Sequence, residues 1–247
     1  MSERSEVSGA LAAGDARKLL EIAAKAAERL GNPRVLQILR YINSIAEVLF
    51  NPQAPTARLV LRAGRYSIEF NAEFIRRHVG SGEALLHLLL HEILHKIRGD
   101  LTRPLPPELR ADRARHLSNF AADMLINSDL ERYVFPTPPY FLRLYDPLEF
   151  PANLLLPPRL LLSNGEDLRL DRETLLGLAE DRFAVSRRPV EMKDLDAAEV
   201  ARVYLSAWME DISFEGLLRA LDRLLPDLPE RRLPEILWLG DHRCAGG

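Results

Sequence analysis

Apolar and polar positions follow two different rhythms along this chain, and the change of rhythm marks its elements. Over residues 15–30 (Asp-Ala-Arg-Lys-Leu-Leu-Glu-Ile-Ala-Ala-Lys-Ala-Ala-Glu-Arg-Leu) apolar side chains recur every three or four positions, which predicts an amphipathic helix ended by Gly31-Asn32-Pro33. A second helix is predicted up to about Phe50, before Asn51-Pro52, so residues 1–52 are expected to form a helical hairpin packed on the core. Between residues 56 and 71 the rhythm shortens to alternation on either side of a Gly-containing break, which predicts a β-hairpin. Residues 71–78 then make a turn and a short helix.

The longer rhythm returns in Ser81-Gly-Glu-Ala-Leu-Leu-His-Leu-Leu-Leu-His-Glu-Ile-Leu-His-Lys-Ile-Arg-Gly-Asp100. Leu85, Leu86, Leu89, Ile93 and Ile97 recur at helical steps between Ser81-Gly82 and Gly99, and Leu88, Leu90 and Leu94 fill most of the remaining face. The expectation is a helix of about four turns buried nearly all round. After Pro-rich residues 103–107, a second long helix is predicted from about Glu108 to Tyr133. Phe135-Pro-Thr-Pro-Pro-Tyr-Phe141 and Phe150-Pro-Ala-Asn-Leu-Leu-Leu-Pro-Pro158 follow as a proline-punctuated stretch whose apolar groups are expected to be exposed, as in a lid or binding loop. Helices are predicted again at about 172–184, 196–210 and 213–225. The whole is an α+β chain, mainly α, with a small β-hairpin or sheet; residues 53–134 form the core, and 135–247 add the Pro-rich loop and a C-terminal helical part of the same domain.

Composition narrows the range of functions. A hydrophobic share of 47% over 247 residues supports a core of ordinary size, and a formal charge of −3 lacks the basic surplus of a nucleic-acid binder. No run of about 18 apolar residues is present, so no membrane span is expected. Met1-Ser-Glu-Arg-Ser-Glu6 has no apolar stretch of the signal-peptide kind, so the expected compartment is the cytoplasm. The single cysteine, Cys244, excludes an internal disulfide and a cysteine-cage zinc site.

The candidate chemistry lies in His91-Glu92-Ile93-Leu94-His95. On a helix, residues four apart share a face with Cβ atoms roughly 5–6 Å apart, so His91 and His95 can hold one cation between them. Glu92 follows the first ligand, which sets its carboxylate where a general base for an attacking water is needed. Zinc is the expected ion, and catalytic zinc takes three protein ligands and keeps one position open. Asp123, His116 and Asp100 are candidates for the third ligand. Asp123 is preferred because Asn119 and Asn127 lie one turn away on either side and can orient a ligating carboxylate. His116 then belongs beside the site rather than on the metal. His87, one turn before His91, is a supporting group or a core histidine. The metzincin continuation is missing, since Arg98 and Leu101 stand where Gly and His would be required.

These residues carry a resemblance. A strand followed by an Asn-x-x-Phe turn (Asn71, Phe74), His91-Glu92-x-x-His95, and an Asn-x-Ala-x-Asp-x-x-x-Asn helix (Asn119, Ala121, Asp123, Asn127) resembles the metallopeptidase domain that in bacteria is commonly fused or linked to a von Willebrand A-like domain. The resemblance spans about residues 66–130. It implies a zincin-like core, zinc on His91, His95 and Asp123, Glu92 as the catalytic base, a protein or peptide substrate, and a von Willebrand A-like partner. In zincins a strand beside the metal helix offers its free edge to an extended substrate, and Tyr66–Phe70 is the strand placed for that role, the alternative being a strand with no substrate role. Tyr140 or Tyr145 can supply a hydroxyl to a developing oxyanion, or each can simply pack. Two other readings compete: a zinc hydrolase of a non-peptide substrate, and a non-catalytic interaction module on a zincin scaffold.

Overall fold

The computed structural model describes residues 3–54, 56–62, 64–99, 111–135, 145–163, 171–188, 192, 194–209 and 211–225. The architecture is α+β and mainly helical, with one three-stranded sheet among the described residues. Two compact units share the chain. One gathers the described residues up to Gly99 together with 133–135; the other gathers 111–132 and the described residues from 145 to 225.

The first unit opens with α1 (Glu3–Ala12), which the sequence reading did not anticipate, and whose Val7 and Ala10 are buried. In α2 (Ala16–Arg29) the Asp15 side chain caps the first turn by accepting from Lys18 N. Asn32 caps α3 (Pro33–Ile45) in the same way, with Pro33 in the first turn, where a missing N–H costs nothing. The predicted second helix ends here, because Ala46–Phe50 is a strand, β1. A short apolar run with Val48 and Phe50 satisfies a helix or a strand pattern equally well, and pairing to a neighbour decides between them.

That neighbour is β3 (Arg65–Phe70), which pairs in parallel with β1 from Ala46↔Tyr66 to Phe50↔Phe70. On its other side it pairs antiparallel with β2 (Ala57–Arg62), giving the predicted hairpin. The strand order β1-β3-β2 puts β3 in the centre. Tyr66–Phe70 therefore has no free edge, and the expectation that this strand receives a substrate strand is overturned: β1, read as helix, occupies that edge.

Glu69, on β3, is fully buried and receives Nε and Nη2 of its cross-strand partner Arg58 at 2.7 Å and Asn51 Nδ2 at 2.6 Å. A charge taken out of water is tolerated only with such partners. After Asn71 caps it, α4 (Ala72–His78) leads into α5 (Gly82–Arg98). Ser81 Oγ accepts from Ala84 N, and Gly99 ends the helix at φ 68°, the left-handed conformation that glycine adopts without strain. Small residues set the approach of α5 to α2. A Cβ on Gly82 would stand 3.3 Å from the Ile22 carbonyl oxygen and 3.4 Å from Ala26 Cβ. Leu85, Leu86, Leu88, Leu89, Leu90 and Ile93 are all buried, as expected, but the last turn emerges, and Ile97 is 61% exposed.

The second unit is built on α6 (Ala111–Tyr133), in which every residue from Ala121 to Ser128 is buried. Around it run a 3-10 turn (Ala152–Leu155), α7 (Pro158–Ser163), α8 (Arg172–Ala184), α9 (Ala197–Trp208) and α10 (Phe214–Leu224). The last three match the predicted helices to within two residues at each end. Residues 150–157, expected to be an exposed loop, are buried throughout. Asn127 Nδ2 donates to Leu155 O, Tyr204 OH to Leu156 O, and Asn153 Nδ2 to Ser186 Oγ, so the polar backbone of this segment finds partners inside the unit. Arg113 clamps the end of α10 through Asp222 and the carbonyls of Asp222 and Leu225.

Near the end of α6, Glu131 is largely buried, and desolvation raises its pKa from 4.5 to about 7 against the opposing pull of Arg159 and Arg132. The folded state therefore holds this proton more tightly than the unfolded chain. Its contribution to stability is complete below pH 4.5 and is lost as the pH rises through about 7. A shift of this size corresponds to a loss on the order of 3 kcal/mol between those limits. Glu131→Gln, which mimics the neutral acid, is expected to match the wild type near pH 4.5 and to exceed it increasingly towards pH 8. Urea unfolding across that range measures the difference, and a gap that does not grow with pH would refute it.

Candidate metal centre

The α5 register sets the two histidines of the candidate site. His91 and His95 lie one turn apart, 0% and 1% exposed, and their Nε2 atoms face each other at 3.1 Å. Two nitrogens bound to one tetrahedral zinc at about 2.0–2.1 Å are themselves roughly 3.3 Å apart, so the pair is spaced for a shared ion. The rings meet nearly edge to face, with centroids 4.8 Å apart and planes 73° apart.

Asp123 completes the group. One ligand atom from each of His91, His95 and Asp123 lies within 4.8 Å of the others, and all three side chains are buried. Two imidazoles and a carboxylate are a donor set that suits zinc, and a buried carboxylate beside buried imidazoles is costly without a cation. The residues present therefore fit the metal. Glu92, next to His91 on α5, is 5% exposed.

His87 is fully buried on the same helix, with its ring 6.4 Å from that of His91 and 5.4 Å from that of Phe135. Burial, and next the proximity of His91, hold its pKa well below the ordinary 6.5, so the ring is neutral. The contact with Phe135 had no signal in the sequence. Lys96, beside His95, places its ammonium 5.8 Å from the centre of the Tyr66 ring, a cation–π contact between α5 and β3.

The remaining candidates separate clearly. His116 is half-buried nearer the start of α6 and is not a member of the His91, His95 and Asp123 group. Asn119 is half-buried, one turn before Asp123; Asn127, one turn after it, is fully buried and directs its amide to Leu155 O. Tyr145 is 3% exposed, and burial together with the charge of Asp123 keeps its phenol protonated, with a pKa well above 10. Asp100 and Tyr140 lie outside the described residues. Among the described residues no helix is long and apolar enough to cross a membrane. Comparison of the chain with protein-family models, with curated proteins and with solved structures finds no match.

Proposed function

We propose that this chain is a zinc metallopeptidase of the zincin type, with a zinc ion on His91, His95 and Asp123 and Glu92 as general base. The observation that carries the reading is the grouping of two imidazoles and one carboxylate within 4.8 Å, the imidazoles on a helix whose register sets Glu92 beside His91. Zinc held there supplies Lewis acidity, polarising a carbonyl and lowering the pKa of a water towards about 7. Glu92 takes the proton from the attacking water and returns it to the leaving amine. His91, His95 and Asp123 are all buried, and exclusion of bulk water strengthens the electrostatic interactions of such groups. The substrate is a protein or peptide, and the motif resemblance adds a von Willebrand A-like partner.

A second reading has one observation in its favour. His91, Glu92, His95 and Asp123 are each 5% exposed or less, as in a metal site that serves the fold of an interaction module. Metal analysis of the purified chain, followed by an assay on an unfolded protein substrate, separates the two. About one zinc per chain and chelator-sensitive cleavage are expected. One zinc without cleavage would overturn the peptidase reading, and no zinc would overturn both.

A further inference from the structure

Two chain ends of secondary structure meet in the first unit. The hairpin of β2 and β3 turns at Gly64, φ 78°, and α5 stops at Gly99, two residues after Ile97. Leu61 stands directly across from Tyr66 in that hairpin, and the Lys96 ammonium lies 5.8 Å from the centre of the Tyr66 ring, so the helix end and the hairpin end adjoin. Apolar groups surface here. Ile97 continues the stripe of α5 that carries Ile93, yet Ile93 is 1% exposed and Ile97 is 61% exposed. Leu61 is 50% exposed, and Tyr66 between them is half-buried.

The charge at this end has one sign. Residues 57–68 and 93–99 contain no Asp or Glu, whereas Arg65 is exposed and Lys96 half-buried; Asp100 lies outside the described residues. Among the described residues neither Arg65 nor Lys96 has an acidic partner. The acidic residues nearest on the sheet do not reach this face. Glu69 alternates to the opposite face from Tyr66 and is ion-paired with Arg58, and Glu47 of β1 stands across from Ser67 on that opposite face too.

Exposed aliphatic side chains at the ends of elements, with cations and a tyrosine beside them, match the layers of a bilayer surface. Aliphatic groups enter the boundary between headgroups and acyl chains, tyrosine favours the interface, and Lys and Arg meet acidic headgroups. Because the whole chain carries −3, an anionic surface attracts it only through a local excess of cations such as this one. We propose that this end of the first unit, through Leu61, Ile97, Arg65 and Lys96, rests on an anionic phospholipid surface as a peripheral contact. The contact crosses no bilayer and is independent of the zinc chemistry proposed above.

The test is sedimentation of the full chain with vesicles of phosphatidylglycerol and phosphatidylcholine in equal amounts, and with vesicles of phosphatidylcholine alone. Partition onto the anionic vesicles is expected to be about tenfold stronger or more. It is expected to vanish near 1 M salt, where the screening length falls to about 3 Å. Leu61→Glu and Ile97→Glu each set an anion at an exposed apolar position, and Arg65→Glu reverses an exposed cation. Each is expected to lower the partition about tenfold with the circular dichroism of the wild type retained. Val185→Glu, at an apolar position 67% exposed in the second unit, is expected to leave the partition unchanged. Equal partition onto neutral vesicles, no partition onto either kind, or a partition that the three variants leave intact would overturn the proposal. So would capture of soluble poly-glutamate without capture of vesicles, which would assign this face to an acidic protein.

Discussion

Replacing His91 or His95 by alanine is expected to remove zinc from the chain, from about one ion per molecule to almost none at micromolar zinc. Each substitution deletes a nitrogen from a pair whose Nε2 atoms stand 3.1 Å apart, and one imidazole with one carboxylate leaves too few donors for a tetrahedral ion. Asp123→Ala is expected to weaken binding strongly, with the two histidines still able to hold the ion loosely. His116→Ala is expected to leave metal content unchanged, because His116 is not part of the group. Atomic absorption on dialysed protein, with circular dichroism to establish that each variant is folded, reads all four outcomes. Full occupancy in either histidine variant would sink the site. Metal lost with His116→Ala but kept with Asp123→Ala would mean that the second helix contributes a different ligand.

How much of this was legible beforehand depended on whether local chemistry decided the structure. Helix α5 was readable because its signals agree: Ser81 caps the start, Gly99 takes the left-handed stop, and leucines at helical steps carry the histidines between them. That Asp123 joins His91 and His95 in one buried group was readable for a related reason. A carboxylate in the middle of an apolar helix is expensive to bury without a partner, and Asp123 holds that position. Strand β1 was not readable, because Ala46-Glu-Val-Leu-Phe50 fits a helix end as well as a strand, and only the pairing with β3 chooses. That single misreading also produced the false free edge at Tyr66–Phe70. The prolines around residues 150–158 suggested an exposed loop, yet the side chains of Asn127, Asn153 and Tyr204 hydrogen-bond within or onto the segment, and it is buried. Partners so distant in sequence leave no local trace. The sequence separates Asn127 from Leu155 by 28 positions and Tyr204 from Leu156 by 48.

Glu92→Gln is expected to leave fold and zinc content intact and to reduce peptide hydrolysis by about 10²- to 10⁴-fold, the usual contribution of a positioned general base. The two side chains have nearly the same shape, so the 5%-exposed pocket that holds the carboxylate accepts the amide without a cavity. What changes is proton chemistry. A carboxylate accepts the proton of the attacking water and later yields it to the departing nitrogen, whereas a neutral amide does neither at accessible pH. Because Glu92 is adjacent to His91 but outside the His91, His95 and Asp123 group, its loss should separate metal binding from turnover, which none of the ligand variants can do. Zinc content and the rate of cleavage of a quenched fluorescent peptide, measured on the same preparation, give the two halves of the comparison. Wild-type turnover in Glu92→Gln would remove Glu92 from the mechanism, and lost zinc would show that the carboxylate supports the metal rather than the water.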